Sequence, residues 1–202
     1  LDDNIGKILE ALRKNNQIKN TIIVFTSDHG DLCGEHGRLN KGVPYEGAAR
    51  IPFIIYCPGK IPAGRVVNEA LSCVDFVPTL FSLTDDKLPK GVEGRDASGL
   101  FQNKSTKWND IAFLRSTSNS QPWLTVVTDR YKLIYSSLGK PWLYDLKNDP
   151  EELHNTFNLS KSKSTIQKLT QHLMKYAKDS NDPYIKNKKI KSQILQALDE
   201  TE

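Results

Sequence analysis

The sequence predicts an α/β fold: a partial, mostly parallel sheet flanked by helices, followed by a small antiparallel sheet subdomain with a C-terminal helix. Three observations carry this expectation. Leu1, Ile5, Ile8, Leu9 and Leu12 fall on one face of a helical stretch with polar residues opposite. Thr21 to Thr26 and Pro52 to Cys57 are continuous β-branched and aromatic runs, which read as strands buried on both faces. Helix, buried strand, loop and buried strand in succession is the order expected of a mostly parallel sheet. Beyond residue 100 the grammar changes to short apolar runs separated by tight polar links, the pattern of an antiparallel meander.

The first helix fades into the polar run Arg13 to Asn20, and a Gly-rich stretch from Ser27 to Gly47 separates the two strands. Val74 to Leu83 reads as a short helix, with Pro78 tolerable only near its first turn. The Gly-, Lys- and Asp-rich loop Thr84 to Gly99 is the candidate domain boundary. Four strands are expected at Ile111 to Leu114, Trp123 to Thr128, Tyr131 to Tyr135 and Trp142 to Tyr144. An amphipathic helix carrying Ile166, Leu169, Leu173 and Tyr176 would cover one face of that sheet. This gives residues 1–100 as part of an α/β domain, 101–178 as the small subdomain, and 179–202 as a polar tail in which Ile190 to Leu198 is the candidate for a last helix.

Composition narrows the function classes. Of 202 residues 38% are hydrophobic and 26% charged, enough for a core and for solubility, and no apolar run approaches the length that spans a bilayer. The net charge is +4, with much of the excess in Lys178, Lys186, Lys188, Lys189 and Lys191. No aromatic residues interleave this cluster and acids return at Asp199, Glu200 and Glu202, so a solvated surface is favoured over nucleic-acid binding. Cys33, Cys57 and Cys73 are too scattered for a disulfide framework or a zinc site, and Cys57 and Cys73 are expected to be buried packing residues. The chain opens at Leu1 without an initiator Met and is read as lacking its natural beginning.

Chemistry concentrates in the Gly-rich stretch. Ser27-Asp28-His29-Gly30 follows the first strand directly, and ligands of open α/β sheets bind beyond the carboxyl ends of strands. Asp28 and His29 can both reach one cation if the backbone turns sharply, which Gly30 permits; the alternative is a helix-capping Asp28 beside a surface His29. Lys41 offers a compact positive charge suited to an anionic oxygen, although an isolated loop lysine is ordinarily just solvated. Glu46 and Arg50 have the spacing of a helical ion pair. His36, His154 and His172 are assigned to structural or exposed positions, and the triplets at Asn103 and Asn158 match glycosylation sequons.

Taken together, Thr26-Ser27-Asp28-His29-Gly30, Gly34-Glu35-His36-Gly37, Lys41-Gly42, Tyr45-Glu46-Gly47 and Arg50-Ile51-Pro52 resemble the C-terminal signature region of type I, formylglycine-dependent sulfatases of the alkaline phosphatase superfamily. The Asp-His-Gly element is shared more widely; its combination with Lys41 thirteen positions after Asp28 is confined to sulfatases and close phosphonate and phosphodiester hydrolases. The resemblance continues through Leu1 to Leu9, Val74 to Leu80, Lys132 to Tyr135, and Leu143 to Leu146 with Asn148 to Glu152 and Asn155, so it covers roughly Leu1 to Tyr176.

That resemblance implies a parent enzyme hydrolysing sulfate esters. Asp28 and His29 would be metal ligands, with Ca2+ the expected cation, and Lys41 would bind sulfate and stabilise charge in the transition state. The formylglycine nucleophile, matured from Cys in Cys-x-Pro/Ala-x-Arg, is expected in an N-terminal part. Cys33, Cys57 and Cys73 all lack that motif, so this portion is expected to be inactive by itself. The expected partner is a sulfate ester, such as a sulfated carbohydrate, with neither nucleic acid nor membrane, and the expected location is periplasmic or secreted. The rivals are a phosphonate monoester or phosphodiester hydrolase and a non-enzymatic module binding sulfated glycans.

Overall fold

A computed structural model describes residues 1–199. In chain order its principal elements begin with α1 (Asp2–Lys14), β1 (Ile23–Thr26), α2 (Glu46–Ala49) and β2 (Phe53–Tyr56). They continue with α3 (Phe76–Thr84), α4 (Ser98–Phe101), β3 (Ala112–Arg115), β4 (Trp123–Val127), β5 (Tyr131–Ser136) and β6 (Trp142–Asp145). The last are α5 (Lys163–Asp179) and α6 (Lys188–Asp199). The chain divides into two compact units. One comprises residues 1–27, 52–67 and 73–108; the other comprises 28–51, 68–72 and 109 onward.

In the first unit α1 starts with Asp2 and Asp3 and ends with Arg13 and Lys14, an order that complements the helix dipole at both ends. None of its residues is buried, and Ile8 is 62% exposed. β1 and β2 form a two-stranded antiparallel ribbon with Ile23 opposite Tyr56 and Thr26 opposite Phe53. The parallel arrangement expected of these strands is thereby corrected. Their connection contains only the single turn α2, and a parallel return needs a long crossover, usually helical, to bring the chain back to its starting edge. The strands are also less buried than their composition implied, with Phe25, Ile54 and Tyr56 exposed. Phe53 nevertheless packs against Phe76 of α3 and Phe101 of α4, at ring separations of 6.0 and 5.9 Å. The buried carboxylate of Asp75, just before α3, accepts from the backbone and guanidinium of Arg95. Cys57 is buried as expected, whereas Cys73 is exposed because it sits on the short 3-10 turn Cys73–Asp75 leading into α3.

The second unit holds the main core. Its four strands run in the order β3-β4-β5-β6, antiparallel throughout, so the small sheet and its following helices match the sequence expectation. Leu124, Val126, Leu133, Tyr135 and Leu143 form a continuous cluster with Ile166, Leu169 and Leu173 of α5. The buried hydroxyl of Tyr135 meets Thr170 of α5 at 2.6 Å. The stretch read as a polar tail is part of this core: Ile190, Ile194 and Ala197 of α6 are buried. Gln193 ties α6 to β5, its amide accepting from the Ser136 N–H and donating to the Ser136 carbonyl. No helix among the described residues is long and apolar enough to cross a membrane.

Candidate functional site

The segment Asp28 to Ile51 folds on itself within the second unit. Leu32, 1% exposed, anchors it, and its N–H donates to the carbonyl of Asn40 at 3.0 Å. This bond sets the two limbs of the loop side by side, so that residues twelve apart in sequence, His29 and Lys41, meet. Asn40, at a φ of 69°, makes the left-handed turn that delivers Lys41, a conformation asparagine tolerates better than most residues.

All three residues singled out by the sequence lie together. Nδ1 of His29 sits 2.8 Å from the carbonyl of Gly30, which fixes the tautomer with a proton on Nδ1. Nε2 is then left with its lone pair, and the ammonium of Lys41 donates to it. Oδ2 of Asp28 lies 3.4 Å from the same Nε2. Asp28 is well exposed and His29 partly so, with side-chain exposures of 83% and 39%. An acceptor nitrogen, a carboxylate and an ammonium therefore share one accessible point.

As a cation site these residues supply two donors, one oxygen and one imidazole nitrogen. Among the described residues no group of three or more His, Cys, Asp or Glu side chains converges as a metal cluster. Only the Asp28 carboxylate offers the oxygen that calcium prefers, whereas the His29 nitrogen suits zinc or manganese better, so the pair supplies no more than part of a calcium shell. Nδ1 is held by a carbonyl, as in metal-ligating histidines, while Nε2 faces the Lys41 ammonium.

Surrounding groups keep this loop in place. Tyr45 stacks on His36 with ring centroids 3.8 Å apart and leans towards Trp142 and Tyr144. The indole N–H of Trp123 donates to the carbonyl of Gly42, immediately after Lys41, at 3.0 Å. Gly30 lies so close to Gly47 that a Cβ on Gly30 would overlap the Gly47 carbonyl oxygen. Cys33 makes a poor nucleophile: both its N–H and its thiol point at Asp31, whose carboxylate pushes the thiol above its usual range.

Sequence reasoning passed over several residues that shape the site. Lys132 and Glu152 are buried against Glu46, and a lysine inside an otherwise apolar strand run, Tyr131 to Tyr135, was the available signal. The contact of Gly30 with Gly47 left no trace beyond the presence of glycine. Glu46 does face Arg50 at 3.9 Å, although its firmer partner is Lys132.

The loop bearing Asp28, His29 and Lys41 is thus joined to a four-stranded antiparallel sheet closed by helices. The chain belongs to the family described as N-sulphoglucosamine sulphohydrolase, C-terminal, matching it over residues 34–179. It is 34% identical to an arylsulfatase of Clostridium perfringens, with 94% of this chain and 40% of that protein aligned. The structure of BT4656 in complex with its substrate D-glucosamine-2-N,6-O-disulfate superposes with a TM-score of 0.79 and 31% identity, covering 90% of this chain and 39% of the other. The phosphonate monoester hydrolase of Agrobacterium radiobacter superposes with a TM-score of 0.71 and 26% identity, covering all of this chain and 41% of that one. The chain thus spans about two fifths of the length of these relatives.

Proposed function

We propose that this chain is the anion-gripping part of an enzyme that hydrolyses sulfate esters, with sulfated carbohydrates as the substrate class. The observation that carries the reading is the meeting of Lys41, His29 and Asp28 at one exposed point. Lys41 holds a sulfate oxygen: its ammonium has three protons, one directed at His29 and two available to an anion. As negative charge grows on the sulfuryl oxygens, that preset ammonium stabilises the transition state more than the ground state. Asp28 and His29 would act as two ligands of a divalent cation, with calcium the proposed occupant, Nε2 of His29 exchanging its bond from Lys41 for the cation. A cation there supplies Lewis-acid polarisation of the ester and favours an ionised nucleophile. His29 is aimed by its bond to the Gly30 carbonyl, and Asp28 follows from its neighbouring position. The nucleophile is assigned to a formylglycine outside these residues. The substrate class draws support from BT4656 and its sulfated glucosamine. A periplasmic or secreted location accompanies the reading on family grounds and is checked by fractionating cells that express the protein.

The test joins this chain to the N-terminal part of the Clostridium perfringens arylsulfatase and follows an aryl sulfate. Lys41→Ala is expected to lower kcat by about 100- to 1000-fold, the usual effect of removing one such donor. Unchanged turnover in Lys41→Ala or Asp28→Ala overturns the assignment.

The likeness to a phosphonate monoester hydrolase supports a second reading, phosphonate or phosphodiester hydrolysis. Matched sulfate and phosphonate esters separate the two through their kcat/KM ratio. A non-enzymatic glycan binder would instead show chelator-insensitive affinity for a sulfated polysaccharide that falls steeply with salt.

A further inference from the structure

Lys132 and Glu152 lie outside the catalytic groups just described. Both side chains are only 1% exposed. From β5, the Lys132 ammonium donates to Oε1 of Glu152 and to the carbonyl of Pro44, each at 2.9 Å, and it pairs with Oε1 of Glu46. The second oxygen of Glu152 accepts the backbone N–H of Glu46 at 2.6 Å. Every proton of the ammonium is therefore directed at residues 44, 46 or 152. Glu152 adopts a φ of 56°, a left-handed backbone unusual for a residue with a side chain.

Contacts run unbroken from this pair to His29. Glu46 opens α2, Gly47 presses on Gly30, and the carbonyl of Ala48 accepts the Gly30 N–H at 2.9 Å. The carbonyl of Gly30 in turn fixes Nδ1 of His29. We propose that Lys132 and Glu152 are positioning residues: a buried clasp that sets α2 against Gly30 and so aims Nε2 of His29 at Lys41. The inference rests on the sulfate-site reading and adds the device that orients it. Desolvating a charge pair is expensive, and apolar side chains of similar size serve stability as well or better. Bonds directed to two backbone groups of one loop are what positioning requires and packing does not.

The experiment uses the 202-residue chain, with amide exchange followed by NMR and inorganic sulfate as the probe. The variant is Lys132→Met combined with Glu152→Gln, which removes both charges of the clasp rather than orphaning one. The expected result is exchange of the Gly30 amide about 10-fold faster, with the amides of Leu169 and Leu173 in α5 protected as before. The shift that sulfate produces in the His29 ring signals weakens in parallel. Unchanged Gly30 protection in the folded variant overturns the clasp. So does uniform loss of protection across α5, which would make the pair a general stabiliser. A wild-type chain whose His29 and Lys41 signals ignore sulfate counts against the sulfate reading, while Gly30 exchange still decides the clasp.

Discussion

The Lys41 ammonium donates to Nε2 of His29, the ring nitrogen left without a proton because Nδ1 faces the carbonyl of Gly30. The lysine thus occupies the nitrogen through which His29 would ligate a cation, and it does so through a loop closed by the bond from Leu32 to Asn40. A positive charge already at that point opposes the arrival of a second one.

Replacing the lysine should therefore strengthen cation binding by the chain while abolishing its response to sulfate. Lys41→Met is expected to bind Mn2+ several-fold, roughly 3- to 10-fold, more tightly than the wild type, the change that removal of one nearby charge in a largely aqueous site gives. Paramagnetic broadening of the His29 ring signals measures it. Equal affinities would contradict the shared position of ammonium and cation.

Glycine 30 is irreplaceable for a steric reason. Gly30→Ala places a methyl carbon on the carbonyl oxygen of Gly47, a rigid neighbour, and should destabilise the second unit by about 1–3 kcal/mol. At Gly139 the nearest atom to an added Cβ is in the Trp142 ring at 3.9 Å, so Gly139→Ala should stay within about 0.5 kcal/mol of wild type. Urea unfolding of the two variants gives the comparison.

The last helix should behave as core. Ile194, 1% exposed, packs with Leu133 and Leu173 in one cluster, and Ile194→Ala is expected to cost about 2–5 kcal/mol. Its neighbour Leu195 is 45% exposed, and Leu195→Ala should cost under about 1 kcal/mol. Chemical denaturation monitored through the tryptophans reports both.

Acid should erase one contribution on β6. Arg130 donates to both oxygens of Asp145, through Nε at 3.2 Å and Nη2 at 2.9 Å, and holds that carboxyl below its ordinary value of 3.8. A carboxyl whose pKa is lowered by folding leaves the folded state with fewer protons than the unfolded one. Its stabilisation is complete above 3.8 and disappears as pH falls through the folded value. The stability difference between wild type and Asp145→Asn is expected to be constant near neutrality and to close below 3.8, as read from melting temperatures across the acid range.

Much of this architecture was legible because it is local. Short apolar and aromatic runs separated by tight polar links marked β3 to β6, and the helical spacing of Ile166, Leu169 and Leu173 marked α5. The spacing of Asp28, His29 and Lys41 was legible through family resemblance, since nothing local reveals that the Leu32 to Asn40 bond would bring positions 29 and 41 abreast. The direction of β1 against β2 was not legible, because an apolar run says how buried a strand wants to be and nothing about which way its partner runs. Lysines also misled the reading. Lys188, Lys189 and Lys191 diluted the Ile190, Ile194 and Ala197 stripe into an apparent solvated tail, and Lys132 passed for an ordinary strand residue although it lies beneath the surface.

The placement of Gln193 beside Ser136 has a practical corollary for anyone shortening or tagging this protein. By hydropathy, everything after Asp179 looks dispensable, a natural place to trim or to fuse a reporter. Cutting there would strip the wall from the sheet that carries Lys132 and, through the clasp, unsettle a loop nearly a hundred residues upstream in the chain. A truncation series across α6 should forfeit anion binding and foldedness in the same step.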